Sequence, residues 1–93
     1  MSINSNETKI IGEWIVENGK VVADAAALRI EELVKNGLVE LGSAEGGWYV
    51  LYFDKSDGRY WEKSYPNSHQ HGGGAPSLIN LSLDEAVKKY KLK

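Results

Sequence analysis

Trp48-Tyr49-Val50-Leu51-Tyr52-Phe53, Asp54-Lys55-Ser56-Asp57-Gly58 and Arg59-Tyr60-Trp61-Glu62-Lys63-Ser64-Tyr65 form the continuous stretch that decides the fold. The first block is almost pure β-former and apolar on both faces, which predicts a central strand. The second is made of turn residues and predicts a hairpin loop. The third returns, with Tyr60, Glu62 and Ser64 on one face and Arg59, Trp61, Lys63 and Tyr65 on the other. Pro66 ends the strand, because it has no N–H for a ladder and holds Tyr65 extended.

On the N-terminal side, Leu38–Leu41 reads as a short strand closed by Gly42 and the Glu45-Gly46-Gly47 turn. Before it, Ala27, Ile30, Leu33 and Val34 recur at helical spacing, so a helix is expected over about 24–36. Asp24 is a natural N-cap, and Asn36-Gly37 predicts a stop in the left-handed conformation. Farther back, Glu7 to Val16 carries two apolar bursts, Ile10-Ile11 and Trp14-Ile15-Val16, readable as one strand. Glu17-Asn18-Gly19-Lys20 is a tight-turn signal, since Asn-Gly accepts positive φ, and Val21-Val22 would return from it.

On the C-terminal side, a turn-rich loop from Asn67 to Pro76 precedes a short strand, Ser77–Leu81. Ser82-Leu83-Asp84-Glu85 is a capping box that opens a helix over about 82–90, with Lys88 and Lys89 near its C-terminal dipole. The expected fold is α+β: an antiparallel meander of about four to six strands, one inserted helix and a C-terminal helix. It forms a single domain over 7–92, and residues 1–6 are expected to be a flexible N-terminus.

Composition narrows the function. A chain of 93 residues has one modest core, so separate cofactor and substrate lobes are not expected. Without cysteine there is no disulfide framework and no thiolate zinc site, which suits a reducing compartment. The first residues have neither the basic nor the apolar region of a signal peptide, and no apolar run reaches membrane-spanning length. A cytoplasmic domain that binds neither membrane nor nucleic acid directly is expected.

The net charge of −2 conceals an asymmetry. Four of the eleven basic residues, Lys88, Lys89, Lys91 and Lys93, lie in the last six positions. Residues 1–87 therefore carry seven basic and thirteen acidic side chains, a balance of −6. Such a body attracts basic partners over long range, although charge also serves solubility.

The loop holding His69, His71 and Gly72-Gly73-Gly74 invites three chemical readings. A His-x-His pair presents two metal ligands, but a site needs a third and usually a fourth. The glycines could cradle a phosphate, yet Ala75-Pro76 follows where a P-loop requires Lys-Ser/Thr opening a helix. Ser68 and His71 with Asp57 could be drawn as a triad, with no strained elbow or oxyanion hole to support it. Asp54–Gly58 lacks the spacing and terminal glutamate of a calcium loop. No cofactor, metal or catalytic residue is assigned.

The aromatics say more. Seven of the nine, namely Trp48, Tyr49, Tyr52, Phe53, Tyr60, Trp61 and Tyr65, lie in the same eighteen-residue stretch. Alternation divides them between a core face and a second face that could expose Trp and Tyr to a partner. The residues alone equally allow a small aromatic-faced module that binds carbohydrate or peptide.

One combination is far more specific. Gly47-Trp48, Leu51-Tyr52, Asp54 and Asp57-Gly58-Arg59-Tyr60-Trp61-Glu62 lead into Ser64-Tyr65-Pro66, Ser68, His71-Gly72-Gly73-Gly74 and Pro76. This series resembles immunity protein 27 of bacterial polymorphic toxin systems. Glu7-Thr8, Ile10-Ile11-Gly12, Trp14-Ile15-Val16 and Val21-Val22-Ala23-Asp24 look like the family's start, and Glu85-Ala86 with Lys89-Tyr90 like its end. Ala75 stands where many members have proline, Lys63 at a place expected to be uncharged or variable, and His69 at a variable one.

The resemblance implies a non-enzymatic inhibitor that binds the C-terminal toxic domain of a cognate effector. That effector is expected to be a nuclease delivered by contact-dependent inhibition or a related secretion system. A nuclease cleft is basic, so the acidic body could dock on it. The candidate contacts are the motif residues Asp54, Asp57, Arg59, Glu62, His69, His71, Gly72, Gly73 and Gly74, with the acids Glu31, Glu32, Glu40 and Glu45. The motif residues could instead hold the scaffold, leaving contact to the acids.

Overall fold

A computed structural model describes residues 3–4, 6–65 and 74–90. It is α+β, with seven strands in two antiparallel sheets: β1 (Lys9–Ile11), β2 (Trp14–Glu17), β3 (Lys20–Ala23), β4 (Val39–Ala44), β5 (Tyr49–Asp54), β6 (Arg59–Ser64) and β7 (Ser77–Leu81). Helix α1 (Ala25–Asn36) is inserted between β3 and β4, and α2 (Leu83–Tyr90) ends the described chain. The main sheet has the order β1-β7-β6-β5-β4, so β4 to β7 form the expected meander and β1 joins its far edge. β2 and β3 form a separate two-stranded sheet.

The alternation read in the return strand sorts the layers. Trp61 pairs with Tyr52 and Lys63 with Leu78, while Ile10 pairs with Leu78, so these side chains share one face. Ile30 and Leu33 of α1 close over Ile10, Tyr52, Trp61 and Leu78, with Ile3 completing the core. The opposite face carries Leu51, Glu62 and Ile79 in cross-strand register, and α2 lies on it. The sheet is therefore sandwiched between two helices. The second aromatic face expected to be open is instead partly roofed by α2, leaving Tyr49, Phe53 and Tyr60 half-buried.

Local chemistry explains most boundaries. Asp24 caps α1 by accepting from the Ala27 amide at 2.8 Å. Ser82 and Glu85 exchange the two bonds of the capping box at 2.9 and 3.1 Å. Asn18 and Gly19 have φ of 53° and 77°, the conformation that joins β2 to β3.

Three expectations need correction. Gly37 has φ −117° rather than a left-handed value; its N–H continues the helical pattern to the Leu33 carbonyl at 2.8 Å, so no reversal is needed there. Gly42 does not close β4. The strand runs on to Ala44 through a register shift between Glu40 and Gly42. β5 lies inside the sheet between β4 and β6, as its apolar faces predict.

The span 7–16 is two strands in different sheets. Between them, Gly12 donates to the Pro76 carbonyl at 2.9 Å, and a Cβ there would meet that oxygen at 2.5 Å and Ala27 Cβ at 2.9 Å. This close approach turns the chain from the main sheet to the hairpin.

Candidate functional site

The 54–59 turn is built by its own acids. Asp54 is buried and accepts from the Ser56 amide at 2.9 Å and hydroxyl at 2.6 Å. Gly58, at φ 74°, donates to the Asp54 carbonyl at 2.8 Å and closes the loop. Asp57 holds Arg59 through Nε at 2.6 Å and through its backbone amide at 3.1 Å.

Arg59 then reaches 52 and 55 positions back along the chain. Its Nη1 donates to the Glu7 carbonyl and its Nη2 to the Asn4 carbonyl, while the guanidinium lies 4.8 Å from the Trp61 ring centroid. This planar fork holds two carbonyls and the Asp57 carboxylate at once in a fixed geometry, which the compact ammonium of a lysine does not reproduce. Glu7 in turn clasps Arg29 of α1 at 2.6 and 2.7 Å, and that hydrogen-bonded guanidinium holds the Glu7 carboxyl down at about 2. The N-terminal segment is thus tied to both the hairpin and α1.

Glu62 is buried beneath α2, where it accepts from the Tyr90 hydroxyl at 2.7 Å and pairs with Lys89 at 2.9 Å. Burial, then the bond to Glu62, raises the Tyr90 phenol above its ordinary value. Lys89 also stands 3.6 Å from the Tyr49 ring centroid, a cation–π contact that seats the helix end. Asp54, Asp57, Arg59 and Glu62 therefore all have partners within the domain.

The candidate acids outside the motif are placed differently. Glu31, Glu32, Glu40 and Glu45 are all exposed. Glu31 reaches the buried Lys63 at 3.0 Å. Burial pulls the Lys63 ammonium down, and the hydrogen bonds it donates to Glu31 and Tyr65 outweigh this, leaving its pKa raised. Burial raises the Tyr52 phenol; the Lys63 charge opposes the rise, and Glu40, Tyr65 and Glu31 add to it. The structure thus gathers Glu31 and Glu40 around Tyr52, whereas Glu32 lies farther round α1, bonded to Asn36 at 2.8 Å. Glu45 opens the 3-10 turn Glu45–Gly47 at φ 56°. Trp48 follows, exposed and edge-on to Tyr65 at 5.9 Å.

His69, His71, Gly72 and Gly73 lie outside the described residues, so the metal, phosphate and triad readings of that loop do too; Gly74 is buried. Among the described residues, no three His, Asp or Glu side chains are grouped to hold a metal ion, and no helix is long and apolar enough to cross a membrane.

Sequence reasoning missed the partners that bind these groups, above all Glu7–Arg29 and Glu31–Lys63. It also missed that β2 and β3 stand apart from the main sheet with Ile15, Val16 and Val21 exposed. The signal available was that both hairpin arms are apolar on successive positions, as interior strands are, without further strands to cover them.

The fold and site together define a small α+β domain whose motif residues brace its own elements and whose remaining acids face outward. The family model for immunity protein 27 matches residues 16–82, and the chain belongs to that family. No curated protein and no solved structure matches it.

Proposed function

We propose that this chain binds the C-terminal toxic domain of a cognate effector and neutralises it by occupying its surface, with no chemistry of its own. Membership of the immunity protein 27 family over residues 16–82 is the observation that carries this reading. Two features support it. The scaffold is braced by ion pairs linking distant segments, which suits a rigid binding face and keeps the ordering cost of association low. The exposed acids Glu31, Glu32, Glu40 and Glu45 suit a partner with a basic surface.

A nuclease has such a surface, because its cleft must hold phosphates. The finer reading is therefore inhibition of a nuclease effector of contact-dependent or related secretion, inside the cytoplasm of the producing cell. In this scheme Asp54, Asp57, Arg59 and Glu62 keep the hairpin and α2 in place, while the outward acids speed the encounter. His69, His71 and the glycines through Gly74 act in the scaffold or at the interface. Full protection by His71→Ala would assign that loop to the scaffold.

Co-expression with the toxin domain encoded by the neighbouring gene tests the whole reading. Cells should survive only when this chain is present, and the purified pair should co-elute. Failure to co-elute refutes toxin binding. An association rate that hardly changes with salt refutes electrostatic docking.

A further inference from the structure

Along β5, the side chains on the α1 side of the sheet are Tyr52, Val50 and, by the same alternation, Trp48. Tyr52 is 4% exposed, Val50 half-buried and Trp48 55% exposed, so cover from the described residues runs out toward this end. Register carries the same face across the neighbouring strands. Glu40 of β4 stands opposite Tyr52, while Ser43 of β4 and Lys63 of β6 stand opposite Val50. Tyr65 follows two positions after Lys63 and meets Trp48 edge-on at 5.9 Å. These residues form one continuous surface on one side of the sheet.

A buried cation holds that surface in place. Lys63 is 8% exposed, stands 5.5 Å from the Tyr65 ring centroid and pairs with Glu31 of α1 at 3.0 Å. Burying an ammonium is costly, and an apolar side chain of similar volume would fill the space without that cost. What the cation adds is orientation: Glu31 fixes Lys63, Lys63 fixes Tyr65, and Tyr65 fixes the exposed Trp48. An aromatic side chain presented in a set orientation loses little freedom on binding, and tryptophan is a frequent anchor of interfaces.

Charge beside this surface selects the occupant. Glu40 stands in it, Glu31 flanks it from α1, and Glu45 opens the turn in which the Trp48 amide donates to the Glu45 carbonyl. Against these three carboxylates stand two ammonium groups: Lys63, already taken by Glu31, and Lys35, one turn on from Glu31 along α1. The face of an indole attracts a cation, as the carboxylates around it do. A second copy would bring the same acidic surplus against itself, which disfavours pairing. A basic side chain of the toxin domain, above all the planar guanidinium of an arginine, meets both features.

We infer that Trp48, held by Tyr65 and flanked by Glu40, is the anchor by which this chain grips the toxin domain, receiving a basic side chain of that partner on its indole face. The inference rests on the proposed immunity function and names the contact that performs it.

The probe is the toxin domain encoded by the neighbouring gene, purified in an inactivated form and titrated against the full chain. Trp48→Ala and Trp48→Leu should each weaken binding by about 100-fold or more. Trp48→Phe, which keeps an aromatic face, should lose no more than about 10-fold. All three variants should keep the wild-type circular dichroism spectrum, because Trp48 lies largely in solvent. Amide exchange across residues 47–50 should slow when the toxin domain is added to the wild-type chain.

Wild-type affinity in Trp48→Ala, or no slowing of exchange around residue 48, overturns the inference and leaves the immunity function standing. Equal affinities of Trp48→Leu and Trp48→Phe would assign the contact to apolar burial and overturn the basic occupant. If the wild-type chain does not bind the toxin domain, the function and the inference fall together. A wild-type dimer that Trp48→Ala dissolves without changing toxin affinity assigns the face to self-association and overturns the inference.

Discussion

Glu7 grips both terminal nitrogens of Arg29, at 2.6 and 2.7 Å, and so ties the segment before β1 to the helix 22 positions later. The geometry is bidentate, the form in which arginine and carboxylate pair most strongly. The carboxyl is held at about 2 in the folded chain against an ordinary 4.5. Since the folded value is the lower one, the pair contributes its full stability above about pH 4.5 and loses it as pH falls toward 2. Thermal unfolding followed from pH 7 to pH 2 should show that decline. Glu7→Gln should flatten it and lower the midpoint at pH 7 by a few degrees, about 1 kcal/mol once partial exposure is discounted. Equal slopes in the two proteins would show that the pair does not couple folding to pH.

The Tyr90–Glu62 bond governs how α2 is seated. Tyr90→Phe keeps the ring and removes only the hydroxyl, so it should cost about 1 kcal/mol. Glu62→Gln combined with it should show a coupling energy of about 0.5–3 kcal/mol, because the two residues share one bond. Denaturant titration of the single and double variants measures this. Strict additivity would place the hydroxyl and the carboxylate in separate interactions.

Gly12 tests the turn between the two sheets. Gly12→Ala forces a methyl group into a space already occupied by the Pro76 carbonyl and Ala27. The obstruction is partly backbone, which cannot rotate away as a side chain can. A loss of about 1–3 kcal/mol is expected in chemical denaturation. An unchanged midpoint would mean that the two sheets separate more easily than their packing implies.

The outward acids should divide by their partners. Lysine at Glu32, Glu40 and Glu45 together should slow association with the toxin domain about tenfold at low salt. Each of these changes alone should leave stability within about 0.5 kcal/mol, as is usual at exposed positions. Glu31→Lys should also destabilise, because it leaves the buried Lys63 facing a like charge. Stopped-flow mixing and thermal melts separate the two effects. An unchanged association rate in the triple variant would remove these acids from the docking surface.

Much of the fold was legible because its signals are local. The Asn18-Gly19 turn, the Asp24 cap, the Ser82–Glu85 box and the alternation of Tyr60, Trp61, Glu62 and Lys63 each act within a few residues. The errors arose where a local signal met a distant neighbour. Gly42 looked like a strand end, but it lies inside an edge strand, 4.0 Å from Tyr90. Residues 7–16 looked like one strand because nothing nearby announces that Gly12 is pinned against Pro76.

The candidate site was legible only in part. The 54–62 motif stood out as a pattern, yet its partners could not be read from spacing. Arg59 binds the Asn4 and Glu7 carbonyls, and Glu62 binds Lys89 and Tyr90. The family resemblance came from the motif residues, and matching over 16–82 established membership.

By itself, the sequence determined the element types, the capping chemistry, the side-chain alternation and the acidic balance, because each depends on residues close together or on composition alone. Tertiary structure decided which face each helix covers, which acids are tied to buried cations and which apolar strands remain uncovered. Those outcomes depend on segments far apart in the chain meeting in space, as Arg59 meets Asn4 55 positions earlier and Ile79 pairs with Lys9 70 positions earlier. Periodicity tells a strand which of its faces is apolar, but only packing supplies the neighbour that covers it. For Val16 and Val21 of the β2–β3 hairpin, the described fold supplies none.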